Sequence, residues 1–128
     1  MIKGYGIAHV TLTVSNIQKT KAFYKELFQK EFSMDDKSSF SLLDVGIPCW
    51  FVQWEEKNQN DRFNEKRIGL DHVAFRIETI DELNYFVKKL DTMNVHNSGL
   101  KRFAGKYPYV AFRDPDNIQT EFFIPKEI

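Results

Sequence analysis

The chain repeats itself at an interval of 63 residues, and that repeat limits the possible folds more than any local signal does. Ala8-His9-Val10-Thr11-Leu12-Thr13-Val14 aligns with Asp71-His72-Val73-Ala74-Phe75-Arg76-Ile77. At the same offset Ile17 meets Ile80, Phe23 meets Phe86, Lys25 meets Lys88 and Leu27 meets Leu90. One supersecondary unit is used twice, and each copy carries a histidine at the same point. Two metal-capable side chains are thereby related by pseudo-symmetry.

Each copy has the same order of local signals. Residues 7–14 alternate and are rich in β-branched side chains, which predicts a strand with Ala8, Val10, Leu12 and Val14 on one face and Ile7, His9, Thr11 and Thr13 on the other. Ser15-Asn16-Ile17-Gln18 has a capping-box pattern, and Ile17, Thr20, Phe23, Tyr24 and Leu27 form the apolar stripe of the helix it opens. Short strands are expected near 31–34, 40–45 and 49–54, with Gly46 as a turn. Residues 55–69 are charged and polar and read as a linker or mobile loop. The second copy places a strand at Val73, Phe75 and Ile77, a helix opened at Thr79 with the stripe Ile80, Leu83, Phe86, Val87 and Leu90, and strands near Val95, 109–113 and 118–124. Asp114-Pro115-Asp116-Asn117 is a turn signature, with Asn117 suited to the left-handed region.

The expected fold class is therefore α+β: a single domain over residues 1–128, with module one at 7–54, the linker at 55–69 and module two at 70–124. A strand that packs one face on its helix turns the other face away, and in both first strands that other face carries the histidine. Two βαβββ modules side by side would form a curved eight-stranded cup with the helices outside and His9 and His72 on the concave face, where a pocket belongs. Whether the modules pair within one chain or across a dimer is left open by the sequence.

Composition narrows the function. Eighteen basic and eighteen acidic residues cancel, so no nucleic-acid or anionic-membrane footprint is expected. The single Cys49 excludes an internal disulfide and agrees with a reducing cytoplasm. The first residues have no long apolar run behind them, so neither a signal peptide nor a membrane span is expected. The remaining class is a cytoplasmic protein with a small-molecule or protein partner.

Glu121 stands out on the last strand. A carboxylate within Thr120-Glu121-Phe122-Phe123-Ile124 is costly if ionised and unpaired. Pairing with Arg76 or Arg113 would satisfy it; so would a cation. Two neutral imidazoles and one carboxylate make a 2-His-1-carboxylate metal site with open positions. His96 falls outside the repeat positions and reads as a surface residue.

These residues carry a resemblance to the vicinal oxygen chelate superfamily, the glyoxalase, bleomycin-resistance and extradiol-dioxygenase group. The matching segments are Gly6 to Val14, Phe23-Tyr24-Lys25-Glu26-Leu27-Phe28, Gly69 to Phe75, and Phe112 to Glu121 with its Asp-Pro-Asp turn. The resemblance spans nearly the whole chain, departing mildly in having Asn117 where the family usually has glycine. It implies paired βαβββ modules around one divalent ion (Fe, Mn, Ni or Zn), held by His9, His72 and Glu121, with substrate oxygens completing the coordination and Glu121 catalytic. It also implies a homodimer.

The family's reactions differ, and the residues sort them. Glyoxalase-type lyases resemble one another in a fourth protein ligand on the last strand of module one, where this chain offers Trp50 or Gln53 and no carboxylate. Extradiol dioxygenases rely on a further histidine, and His96 is poorly placed for that. Fosfomycin-type thiol transferases are similar in size and ligand set, and Thr11 and Lys101 fall at positions like those that help bind the phosphonate in that group. Tyr107 and Tyr109 are expected to line the same cup; the basic C-terminal segment of that group is not among the matching features. The reading is a divalent-metal-dependent enzyme acting on a small oxygen-chelating substrate, with thiol transfer or a glyoxalase-like lyase reaction as candidates. The alternative is a metal-independent, bleomycin-resistance-type cup that sequesters a drug against aromatics such as Trp50.

Overall fold

The computed structural model describes residues 3–32, 34–42, 45–55 and 60–128. The described residues form two helices and eight strands in two compact units, Met1–Asn60 and Asp61–Ile128. Unit one contains β1 (Val10–Thr13), α1 (Ile17–Phe28), β2 (Met34–Asp35), β3 (Ser39–Leu42) and β4 (Cys49–Val52). Unit two repeats the order with β5 (Val73–Arg76), α2 (Ile80–Thr92), β6 (Lys101–Phe103), β7 (Tyr107–Arg113) and β8 (Gln119–Phe123). The sheets run β1-β4-β3-β2 and β5-β8-β7-β6. In each the first and last strands are parallel and the other pairs antiparallel. The fold is α+β, built from two βαβββ units as the repeat requires.

The register makes the repeat exact at the site. Thr11 lies opposite Trp50 in the β1–β4 ladder, and Ala74 lies opposite Glu121 in the β5–β8 ladder. Thr11 and Ala74 are repeat equivalents, so Trp50 is the unit-one counterpart of Glu121. The turns before these strands also correspond: Gly46 has φ 93° and Asn117 has φ 68°. Asparagine is among the few residues besides glycine that visit the left-handed region, and here its Nδ2 donates to the Phe63 carbonyl, 54 residues away, at 3.0 Å.

Each helix buries its stripe on its own sheet. In unit one Leu12, Val14, Ile17, Tyr24, Leu27, Phe40 and Phe51 are buried. Tyr24 lies 4.8 Å from Phe51, which stacks on Phe40 at 4.7 Å. In unit two Phe122 plays the part of Phe51, with ring centroids 4.2 Å from Phe86 and 5.2 Å from Phe112. Phe75 of β5, Leu83 and Leu90 of α2, Val110 and Phe112 of β7, Phe122 of β8 and Ile124 just after it are buried, at the spacings a helix and strands with one core face require.

The helix starts differ in detail from the sequence expectation. The cap of α1 is Asn16, whose side chain accepts from the Gln18 and Lys19 amides. The Ile17 amide donates instead to Gln53 Oε1 at 2.7 Å, a contact spanning 36 residues. Helix α2 has half of the expected box: Thr79 Oγ1 accepts from the Glu82 amide, but Glu82 Oε2 accepts from the Glu78 amide, one residue before the cap, rather than from Thr79 itself.

Strand boundaries also shift. β1 begins at Val10 and β5 at Val73, so each histidine sits on the residue just before its strand and is exposed. Ala8 is exposed too. The strand expected near Val95 is absent there: Val95 follows α2 in irregular chain, only an isolated bridge joins Asn97 to Phe112, and the ordered edge strand is Lys101–Phe103. The reason is that Asn94 takes φ 57° and turns the chain out of the helix, so pairing resumes only further on. Parts of the expected segments 31–34, 40–45 and 55–69, namely Ser33, residues 43–44 and residues 56–59, lie outside the described residues.

The β7–β8 turn is fixed by Asp114, whose Oδ1 accepts from the Asp116 and Ile118 amides at 2.9 and 2.8 Å. Its Oδ2 is buried without a partner among the described residues. Burial pushes this carboxyl up to about 7, against the pull of the two amides. A carboxyl whose folded value exceeds its unfolded one favours the folded state when protonated. Its contribution is present below about 3.8 and is lost as pH rises through about 7. The stability advantage of wild type over Asp114→Asn, which keeps the acceptor and cannot ionise, is expected to shrink by on the order of 2–4 kcal/mol between pH 4 and pH 8. Urea unfolding of both proteins across that range checks it; a constant difference would show that Asp114 stays in one charge state.

Candidate functional site

The exposed face of the unit-two sheet follows from simple alternation. Along β7 and β8, Pro108, Val110, Phe112, Thr120 and Phe122 are buried, whereas Tyr107, Tyr109, Ala111, Arg113, Gln119, Glu121 and Phe123 are half-buried on the other face. Glu121 lies at the middle of that face, opposite Ala111 on one side and Ala74 on the other. Two alanines flank it in the ladders, so its carboxylate is uncrowded.

His72 enters this face from just before the start of β5. Its Nε2 lies 3.6 Å from Glu121 Oε1. That separation suits two ligand atoms each about 2.0–2.2 Å from one ion. The arginines that could have neutralised Glu121 are engaged elsewhere: Arg76 Nε donates to Glu78 at 2.6 Å, and Arg113 holds Glu65 in a two-pronged contact at 2.9 and 3.0 Å. Burial raises the Glu121 carboxyl above the usual range; His72 opposes that shift and Asp71 adds to it. A cation facing both His72 and Glu121 would relieve the desolvation that burial imposes.

The structure thus brings together two of the three residues expected to hold the ion. His9 belongs to unit one and is exposed immediately before β1. Among the described residues no three His, Cys, Asp or Glu side chains gather at one point. Thr11, exposed on β1, and Trp50, half-buried on β4, are ladder partners in unit one. In unit two Lys101 is exposed on β6 and lies opposite Tyr109, whose ring packs 6.3 Å from that of Phe123. Gln53 commits its amide oxygen to the start of α1, which removes it as a ligand candidate. His96 is exposed, as expected.

Sequence reasoning missed the residues behind His72. Its Nδ1 lies 2.7 Å from Asp71 Oδ1, which also accepts from Gln119 Nε2 at 3.0 Å. Gln119 Oε1 accepts from Arg113 Nη2 at 3.3 Å, and Arg113 is gripped by Glu65. Hydrogen bonding to Arg113 holds the Glu65 carboxyl down at about 2. The segment read as a linker is tied down here: the Phe63 amide donates to the Asp116 carbonyl at 3.0 Å, within unit two. Alternation places Gln119 on the Glu121 face, and the sequence offers Arg113 as a partner of Glu121 itself; what the pattern does not indicate is that both serve Asp71, or that Glu65 holds Arg113.

The chain matches the Glyoxalase/Bleomycin resistance protein/Dioxygenase superfamily over residues 6–122. It belongs to that superfamily. Among curated superfamily relatives, the metallothiol transferase FosB of Staphylococcus saprophyticus is 32% identical over 117 residues, covering 90% of this chain and 74% of that protein. The fosfomycin resistance protein FosX of Listeria monocytogenes is 28% identical over 115 residues, covering 88% of this chain and 84% of that protein. A FosX variant from that organism has been solved in complex with Mn(II) and 1S,2S-dihydroxypropylphosphonic acid; it matches with a TM-score of 0.65 at 24% identity, covering 95% of this chain and 90% of that one. A glyoxalase-superfamily domain from Frankia sp. EAN1pec matches at 24% identity with a TM-score of 0.80, covering 95% of this chain and 98% of that one. Among the described residues, no helix is long and apolar enough to cross a membrane.

Proposed function

We propose that this chain is a divalent-metal enzyme that opens the epoxide of fosfomycin or of a closely similar small phosphonate, with a thiol or water as nucleophile. The observation that carries the proposal is the His72–Glu121 pair, facing at 3.6 Å with no arginine on the carboxylate, in a relative of FosB and FosX. His9, His72 and Glu121 would hold the ion, which requires His9 of unit one to meet the other two within one chain or across a cytoplasmic homodimer. Mn(II) is the first ion to test, because a FosX complex contains it; Fe, Ni and Zn accept the same donors.

Bound there, a divalent ion supplies Lewis-acid polarisation of a substrate oxygen. The chain's own residues supply placement. Glu121 and His72 fix the reacting end of the substrate against the sheet, while Tyr109 and Phe123 give an apolar shelf beside it. Thr11 and Lys101 are the candidate phosphonate contacts, and Trp50 a wall. In the reaction the thiol or water gives up its proton as it forms one bond to an epoxide carbon, the C–O bond breaks, and the freed oxygen takes up one proton, so that the nucleophile's S–H or O–H is added across the ring.

Two considerations order the alternatives. Trp50 stands at the position equivalent to Glu121, so unit one offers no carboxylate there as a fourth ligand, which favours epoxide opening over a glyoxalase-like lyase reaction. The FosB and FosX relationships favour metal-dependent chemistry over drug sequestration of the bleomycin-resistance kind. The test is ³¹P NMR of fosfomycin incubated with the protein and Mn(II), with water alone or with cysteine or glutathione added. Conversion to a new phosphonate resonance that requires both protein and Mn(II) is expected. Unchanged fosfomycin with every nucleophile, in a protein shown to bind Mn(II), would eliminate this substrate.

A further inference from the structure

Asp71, Gln119, Arg113 and Glu65 form a chain of hydrogen bonds whose direction is fixed at every link. Arginine has no acceptor, so Arg113 Nη2 must donate to Gln119 at 3.3 Å, and the atom it meets must be the amide oxygen. That settles which way the Gln119 amide points: its Nε2 faces Asp71 Oδ1 at 3.0 Å and donates to it. An ionised carboxylate only accepts, so the hydrogen between Asp71 Oδ1 and His72 Nδ1 at 2.7 Å belongs to the histidine. In the neutral ring, a proton on Nδ1 leaves the lone pair on Nε2, the nitrogen that faces Glu121 at 3.6 Å.

The far end of the chain is anchored as firmly as the near end. Glu65 takes both terminal nitrogens of Arg113 at 2.9 and 3.0 Å, and Arg113 Nη1 also donates to the Asn117 carbonyl at 3.2 Å. Arg113 and Glu65 are each about a quarter exposed, so this contact is shielded in a way that surface pairs are not. It also means that the guanidinium is already occupied by a carboxylate. Its task here is to orient Gln119.

We propose that Asp71, held in place through Gln119, Arg113 and Glu65, is a positioning residue that keeps His72 in the Nδ1–H tautomer with Nε2 presented as a metal ligand. The proposal rests on the metal reading above for its consequence, but its cause, the tautomer, can be measured in metal-free protein. Carboxylates behind ligating histidines typically change metal affinity 10–100-fold when removed.

The experiment combines two readouts. Long-range ¹H–¹⁵N spectra of ¹⁵N-histidine-labelled, metal-free protein at pH 8 report which ring nitrogen of His72 carries hydrogen, the resonance being assigned by its loss in His72→Gln. Mn(II) titration followed by EPR reports affinity. Wild type is expected to show the Nδ1–H form. Asp71→Ala is expected to lose that preference and to bind Mn(II) about 10–100-fold more weakly. Gln119→Leu, which keeps Asp71 but unties it, is expected to move both readouts in the same direction by less. Asp71 is exposed, so its replacement leaves the packed core intact. A wild-type His72 in the Nε2–H form, or a tautomer unmoved by Asp71→Ala, would overturn the relay. A changed tautomer with unchanged Mn(II) affinity would overturn its role in metal binding. Failure of wild type to bind any Mn(II), with the Nδ1–H form present and lost in Asp71→Ala, would overturn the metal reading while upholding the tautomer assignment.

Discussion

Replacing Glu121 with alanine is expected to weaken Mn(II) binding by at least about 100-fold and to abolish metal-dependent turnover of fosfomycin. The carboxylate is the one anionic donor in the proposed ligand set, so its loss removes charge as well as a coordinating atom. It is also the group whose position is hardest to explain otherwise. Its side chain is 16% exposed, no arginine pairs with it among the described residues, and burial holds its carboxyl above the usual range. If Glu121 were a structural anion, removing it would destabilise the fold. A metal ligand should behave in the opposite way in metal-free protein, where the alanine variant sheds an uncompensated desolvation cost and is expected to unfold no earlier than wild type. Isothermal titration with Mn(II), paired with thermal melts of metal-free protein, separates the two. Full-strength Mn(II) binding by Glu121→Ala would remove Glu121 from the site.

The parts of this molecule that were legible in the sequence are those that repeat or alternate. The interval linking His9 to His72 predicted two βαβββ units, and the stripe Ile80, Leu83, Phe86, Val87 and Leu90 predicted α2 because a helix has one period and one core to face. The same alternation singled out Glu121, a carboxylate out of place in an apolar strand. What could not be read depends on contacts between distant, unpatterned polar residues. Gln53 reaches Ile17 across 36 residues, and Glu65 reaches Arg113 across 48. Such bonds leave no period in the sequence. A charged run such as residues 60–66 therefore reads as a solvated linker until the partner that orders it is known. Strand edges shift for a related reason: in the first copy the alternating run begins at Ile7, before the first residue that pairs, and so His9 lies just outside β1.

Phe122→Ala is expected to cost about 3–5 kcal/mol of unfolding free energy, measured by urea denaturation with an unchanged dependence on denaturant. Phe122 is fully buried, and its ring meets those of Phe75, Phe86 and Phe112 at 6.1, 4.2 and 5.2 Å. These three rings, on β5, α2 and β7, surround the void that alanine would leave and, being rigid, close it poorly. The lost transfer energy and the residual cavity therefore add. Phe122→Leu, which fills part of the space, is expected to recover more than half of the loss. A cost below about 1 kcal/mol for the alanine variant would mean that the helix and sheet of unit two do not pack as described. The contrast with its neighbour is the sharper point. Glu121 and Phe122 are consecutive on one strand and turn to opposite faces, so one step along the backbone separates a residue that function requires from one that the fold requires. Substitution at 122 should reduce stability first and activity only through it, whereas substitution at 121 should abolish metal binding in a protein that still folds.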